Sequence, residues 1–249
     1  MLEIEGITKS YGGLLAVDHI NLNVGEGEFT SIIGPNGSGK TTLFNCVTGF
    51  VRPDSGSVRF EGRDITGMPP FRVAGLGLAR TFQSVRLFAK LSVLDNLLVA
   101  AQQHQHDSTV GRFIRSPRVR RNEASARARA TELLERVHLS GHERAAAAEL
   151  SYGQRKLLAV ALALMPHPRL VFLDEPTAAV NPTAIESIAA LLRELSADGQ
   201  TFVLIEHNMQ FVMSLSTNVI VLEAGRKIAE GSPGEVRRDP RVLEAYLGS

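Results

Sequence analysis

The sequence predicts an α/β protein: a parallel-sheet core interrupted by a helical insert. Three observations carry that prediction. An apolar strand, "FTSII" (29–33), runs into a glycine-rich turn and then a helix from about Lys40 to Val47. A second apolar strand, "RLVFLDE" (169–175), opens a block in which "QTFVLIE" (200–206) and "NVIVLEAG" (218–225) alternate with helical stretches at 183–195 and near 208–214. Strands alternating with helices mark a parallel sheet. Between the two blocks, from about 84 to 168, the pattern is helical.

Taken in order, "LEIEGI" (2–7) and "HINLNV" (19–24) alternate with period two and read as half-buried strands. After the first helix, "SVRFE" (57–61) and "LARTF" (78–82) read as further strands. Three segments then follow helical spacing: "SVLDNLLVAAQQ" (92–103), "EASARARATELLERVHL" (123–139) and "QRKLLAVALALM" (154–165). Residues 102–130 stand apart, with seven arginines against Asp107 and Glu123. They read as a solvated helix and loop, the alternative being a basic contact with a partner or with anionic lipid headgroups. The "HQH" at 104–106 has no Cys or carboxylate partners at ligand spacing and is not read as a metal site.

Bulk properties narrow the function classes. The 249 residues suit one large domain, with no internal repeat. Apolar residues make up 44% and the net charge is +1, so no global field points to nucleic acid. A single cysteine, Cys46, rules out an internal disulfide. The acidic, alternating "MLEIEGITKS" is not a signal peptide. The apolar run "LLAVALALM" (157–165) stops at Pro166, well short of the roughly 20 residues that span a bilayer. The chain is expected not to cross a membrane.

"GPNGSGKT" (34–41) matches G-x-x-x-x-G-K-[ST] in its required context, strand before and helix after. Gly34, Gly37 and Gly39, with Pro35, Asn36 and Ser38 between them, allow the backbone to curl so that successive N–H groups face phosphate oxygens. The helix N-terminus adds its dipole. Lys40 offers a charge to the β- and γ-phosphates, and the Thr41 hydroxyl can ligate Mg²⁺. At the end of "LVFLDE", Asp174 is placed to hold Mg²⁺ through water and Glu175 to polarise an attacking water. Gln83 and His207 each close an apolar strand with a polar side chain, where a γ-phosphate sensor would sit. In "LSYGQRK" (150–156), Ser151 and Gln154 fit a helix-capping box, yet Gly153 weakens the helix's first turn.

The order phosphate loop, Gln83, "LSYGQ", "VFLDEP", "AAVN" (178–181), His207 resembles the ATP-binding cassette (ABC) ATPases over essentially the whole chain. The resemblance implies a P-loop NTPase (RecA-like) core with an N-terminal antiparallel β subdomain and an inserted α-helical subdomain. Residues 1–83 and 169–249 would form the core, and 84–168 the helical part. It implies ATP with Mg²⁺ held by Thr41, Gln83 and Asp174, catalysis by Glu175, His207 and Gln83, and nucleotide contacts from residues 34–41, Thr42 and Tyr11, whose ring would stack on adenine. Two cassettes pair head to tail in the family, so Ser151, Tyr152, Gly153 and Gln154 would close on ATP held by the other subunit. Gly153 would let the backbone approach that γ-phosphate.

Two departures are noted: Tyr152 stands where the family usually has glycine, and Asn181 where many members have the aspartate of cross-dimer communication. "RTFQSVRLFAKLSVLDNLLVA" (80–100), "LIEHNMQFVM" (204–213) and "RVLEAYLGS" (241–249) are similar to the ATP-binding subunits of branched-chain amino acid importers. Urea and amide importers and the lipopolysaccharide-export ATPase share such features. The implied partners are integral-membrane permease subunits, a second ATPase subunit in a homo- or heterodimer and, indirectly, a solute-binding protein. The implied location is the cytoplasmic face of the cell membrane. A soluble cassette acting on nucleic acid or ribosomes generally needs a long coiled coil or two cassettes in one chain, and neither is present.

Overall fold

The computed structural model describes residues 1–82, 86–102 and 117–247. Strands β1 (Leu2–Tyr11), β2 (Leu14–Val24), β4 (Ser55–Phe60) and β5 (Arg63–Asp64) form an antiparallel sheet in the order β2-β1-β4-β5. Strands β3 (Phe29–Ile33), β6 (Leu78–Arg80), β7 (Leu170–Asp174), β8 (Thr201–Ile205), β9 (Asn218–Glu223) and β10 (Arg226–Gly231) form the second sheet, ordered β10-β9-β3-β8-β7-β6. All neighbours in it are parallel except the edge pair β9 and β10. The helices among the described residues are α1 (Lys40–Val47), α2 (Pro70–Gly75), α3 (Val93–Gln102), α4 (Pro117–Arg136), α5 (Tyr152–Leu164), α6 (Pro182–Ala197), α7 (Met209–Leu215), α8 (Pro233–Val236) and α9 (Pro240–Leu247).

The central strands β3, β7 and β8 are buried at every residue because both faces of their sheet are covered. Ile32, Phe172, Val203 and Ile220 face a core shared with α1 and the antiparallel sheet, where Leu43, Phe44, Ile4 and Val58 meet them. Their chain neighbours Ile33, Leu173, Leu204 and Val221 face a second core, closed by Leu134 and Val137 at the end of α4, Leu158 on α5 and Leu192 on α6. Period-two alternation along each strand therefore feeds two cores at once. Helix α4 keeps a narrow stripe inward, Ala130, Leu133, Leu134 and then Val137 beyond its end, while Arg120, Arg121 and Arg127 are exposed.

The elements differ from the sequence expectation mainly at their ends. β1 and β2 extend beyond the alternating stretches because each strengthens the other's ladder. The "LARTF" strand stops at Arg80. β10 carries few apolar residues and exists by pairing with β9. Helices α2, α8 and α9 were not foreseen; α2 and α8 begin with Pro at the first helical position, and Ser232 closes a capping box on α8. The expectations for Gln83, for "HQH" and for residues 103–116 of the arginine-rich insert fall outside the described residues, while its residues 117–130 lie on α4.

Candidate functional site

The phosphate loop follows β3, an interior strand standing between β9 and β8, so it lies at the carboxyl edge where open α/β sheets bind ligands. Its shape depends on glycine at two places. A Cβ on Gly34 (φ 148°) would meet the Leu222 carbonyl oxygen at 2.0 Å, and one on Gly39 (φ 98°) would meet that of Ala16 at 2.2 Å. Lys40 is 5% exposed. Its Nζ donates to the Gly34 and Pro35 carbonyls at 2.8 and 2.9 Å and to Ser38 Oγ at 3.2 Å. Burial pushes its pKa down, and the Glu175 carboxylate opposes that. A cationic side chain is thus folded into a ring of backbone groups. Asn36, Gly37 and Thr41 at the mouth are exposed, and Thr42 is half-buried.

Two strands away, Asp174 ends β7 at 7% exposure. Its backbone N–H donates to Thr81 Oγ1 at 3.2 Å, and its Oδ2 accepts from Arg80 Nη2 at 2.9 Å. Glu175 then turns the chain with φ 46°, while its N–H still donates to the Ile205 carbonyl at 2.9 Å. That backbone swings the Glu175 carboxylate to His207, with 3.0 Å between Oε1 and Nε2. The structure therefore brings Asp174, Glu175 and His207 to one sheet edge beside Lys40.

Three supporting residues escaped the sequence reading. Glu206, 3% exposed, accepts from the Thr177 N–H and hydroxyl and from the His207 and Asn208 N–H groups. It thereby joins the turn after Glu175 to the turn that carries His207. Lys156, on the second turn of α5, is 4% exposed and donates to the Glu175 carbonyl at 3.1 Å. Burial pushes its pKa down, against Glu206, Glu175 and Asp174. Arg80 pairs with Asp174. Each is a charge inside or ending an apolar pattern, the same signal that singled out His207. At the far end of the chain, burial pushes the Tyr246 phenol up, with the Gly34 backbone acting in the opposite sense.

Ser151, Tyr152, Gly153 and Gln154 do not join this cluster. Among the described residues no hydrogen bond links them to the phosphate loop. The capping box is formed: Gln154 N–H donates to Ser151 Oγ at 3.2 Å and Ser151 N–H to Gln154 Oε1 at 2.9 Å. Gly153 has a reason within its own chain, since a Cβ there would lie 2.6 Å from Ala184 Cβ on α6. Tyr152 is 37% exposed, with the Arg155 and Lys156 cations each 5.7 Å from its ring centroid. Asn181 caps α6 by accepting from the Ala184 N–H at 2.9 Å. Tyr11 ends β1, 47% exposed, with the Lys9 ammonium 5.6 Å from its ring centroid.

A glycine-shaped phosphate loop, a carboxylate pair ending the parallel strand two places away and a capped helix start facing outward define an ATP-binding cassette ATPase. Residues 17–178 match the ABC transporter family, and the chain belongs to that family. Residues 226–249 match the branched-chain amino acid ATP-binding cassette transporter family. The chain is 42% identical over 249 residues to the high-affinity branched-chain amino acid transport ATP-binding protein BraF of Pseudomonas aeruginosa, covering 100% of this chain and 98% of that one. It is 39% identical to the corresponding protein LivG of Escherichia coli, with the same coverage. Among solved structures, the ADP conformation of an ATP-binding cassette of an ABC transporter superposes with a TM-score of 0.87 at 37% identity, covering 100% of this chain and 99% of that one. A dimeric cassette in a post-hydrolysis state bound to ADP and Pi gives 0.78 at 27% identity over 94% of this chain and 99% of that one. The protein is a nucleotide-binding ATPase subunit of a transporter.

Proposed function

We propose that this ATPase energises import of branched-chain or other hydrophobic amino acids through a separate integral-membrane permease, bound at the cytoplasmic face of the membrane. The observation that carries the mechanism is the pairing of Glu175 with His207 beside a phosphate loop built around Lys40. The Lys40 ammonium is already satisfied by three oxygens of the loop and can exchange them for β- and γ-phosphate oxygens. Mg²⁺, for which Asp174 and Thr41 supply hard oxygen donors, would neutralise charge on the β- and γ-phosphates. Glu175 accepts the proton of the attacking water as its oxygen bonds the γ-phosphorus and the bond to the bridging oxygen breaks. His207, 3.0 Å from that carboxylate, fixes its direction and is placed to hydrogen-bond the γ-phosphate. Tyr11 supplies an exposed ring for the adenine.

The signature residues complete a second such site in a partner subunit. Ser151 presents its hydroxyl at an exposed helix start and, among the described residues, makes no hydrogen bond to the chain's own phosphate loop. The permease is received in a groove of about 390 Å³ between the parallel sheet and the helical layer, lined by Phe50, Phe71, Phe82, Phe88 and Leu162. Among the described residues no helix is long and apolar enough to cross a membrane, so the membrane contact is assigned to the permease. The C-terminal match and the names of the full-length relatives support the amino acid.

The test is reconstitution in vesicles with candidate permease subunits and a solute-binding protein from the same genome. ATP-driven uptake of radiolabelled leucine is expected, with none from a Lys40→Ala complex. Uptake of urea or amides with no leucine uptake would replace the substrate while keeping the ATPase.

A further inference from the structure

Arg80, the last residue of β6, points inward, its side chain 8% exposed. One guanidinium ties its own strand to two other elements. Nη2 donates to Asp174 on β7 at 2.9 Å, and Nη1 donates to Asn45 Oδ1 on α1 at 2.7 Å and to Thr48 Oγ1 at that helix's end at 2.9 Å. The rings of Phe44, Phe50 and Phe82 surround it, with centroids 5.7, 5.3 and 5.4 Å from the guanidinium carbon. Its Nε is buried with no acceptor. Two of those rings are the groove wall: Phe50 stands edge-on to Phe82 at 5.6 Å and is 48% exposed. Asp174 and the groove are therefore joined by a single planar cation.

The chemistry of that cation decides what the junction does. A guanidinium does not deprotonate, and its fork and its π-stacking both fix its plane. A carboxylate already paired with it attracts an approaching dication less than a bare carboxylate would, because the two cations repel in a partly desolvated site. Turning the plane changes how much of the Asp174 charge remains for the metal. The rings set that plane, and an apolar segment seated against Phe50 and Phe82 would move them.

We propose that Arg80 is a positioning residue that ties the state of the aromatic groove to the hold of Asp174 on Mg²⁺. This rests on the reading of Asp174 as the metal side of the nucleotide site. The test measures metal binding rather than turnover. ADP affinity of the full chain is determined by calorimetry in EDTA, and Mn²⁺ binding to the ADP complex by electron paramagnetic resonance. Arg80→Gln should keep ADP affinity in EDTA within about twofold, yet lower the half-saturating Mn²⁺ roughly tenfold, as expected for removing a nearby positive charge. Arg80→Lys keeps the charge and loses the fork, so it should fall between Gln and wild type. Phe50→Ala, altered only at the groove wall, should shift the Mn²⁺ midpoint about two- to threefold in the same direction.

A Mn²⁺ midpoint in Arg80→Gln within twofold of wild type overturns the proposal. An unshifted Phe50→Ala overturns the tie to the groove. If Arg80→Gln does not fold by circular dichroism, the Lys and Phe50 variants decide, and an unchanged midpoint in both overturns the idea. A wild-type chain that binds no ADP would instead remove the nucleotide-site reading itself.

Discussion

The two ends of the ATPase machinery are built in opposite ways. Around the phosphate loop, Lys40, Asp174 and Glu206 are nearly buried, and each charge is held from within its own chain, Lys40 by three loop oxygens, Asp174 by Arg80 and Glu206 by the turns at Thr177 and His207. At the signature, Ser151 and Tyr152 are exposed, and the helix start is closed by a cap that any Ser-x-x-Gln could make. The first region is finished by folding. The second, in the proposed reading, is finished by a partner subunit. On that reading, preorganisation sits where charge would develop during reaction, and openness where two molecules would meet.

The sharpest way to break this contrast is Glu175→Gln. Turnover should fall roughly 10²–10⁴-fold, the scale for a positioned general base, while ATP binding persists. Loss of one negative charge near the γ-phosphate should also let Mg-ATP drive the variant toward dimer in light scattering. Adding Ser151→Arg should return it to monomer with ATP binding retained; a double variant that still dimerises, alone and with a second ATPase subunit, reduces "LSYGQ" to a helix cap. Next in size, Lys40→Ala should weaken ATP binding by about a hundredfold in calorimetry, since charge-assisted contacts to phosphate are lost. Near-normal affinity there would mean the buried end does not depend on its central cation.

Smaller changes sharpen the signature side. Gly153→Ala places a methyl against Ala184, neither of which can rotate away. A net loss of about 1–2 kcal/mol is expected, overpacking outweighing the helix-propensity gain, and thermal melting reads it. Ser151→Ala should lose about 1 kcal/mol through the cap alone. Equal melting for Gly153→Ala and wild type would free Gly153 from packing and leave only a role between subunits. Smallest of all, Asn181→Asp should keep the α6 cap and change stability by less than about 0.5 kcal/mol, because both side chains cap equally well. Any change in turnover of the dimer would then come from the added charge.

The same contrast explains what could be read from residues alone. "GPNGSGKT" and "LVFLDE" were legible because local geometry, a curled loop or an all-apolar strand, determines which residue types fit. The α/β class followed from the strands that feed two cores. Arg80, Glu206 and Lys156 were not legible, since each is a charge whose burial is compensated by residues far away in the chain, Arg80 by Asp174 and Glu206 by Thr177. Gly153 was read for an approach between subunits; its packing on Ala184 depends on how α5 crosses α6, which no local pattern contains. The edge strand β10 and the helices after it were missed for a related reason. Pairing with β9 and capping by Ser232 make them, not apolar periodicity.

Glu175 sits with φ 46°, a left-handed backbone that costs a residue with a Cβ of its size roughly 1–2 kcal/mol and that glycine or asparagine adopts more readily. Directed evolution toward heat resistance alone would therefore be drawn to this position. Libraries selected by melting temperature should enrich Glu175→Gly and Glu175→Asn, variants that fold more firmly and hydrolyse little. A thermostable form of this ATPase has to be sought under selection for transport, with position 175 held fixed.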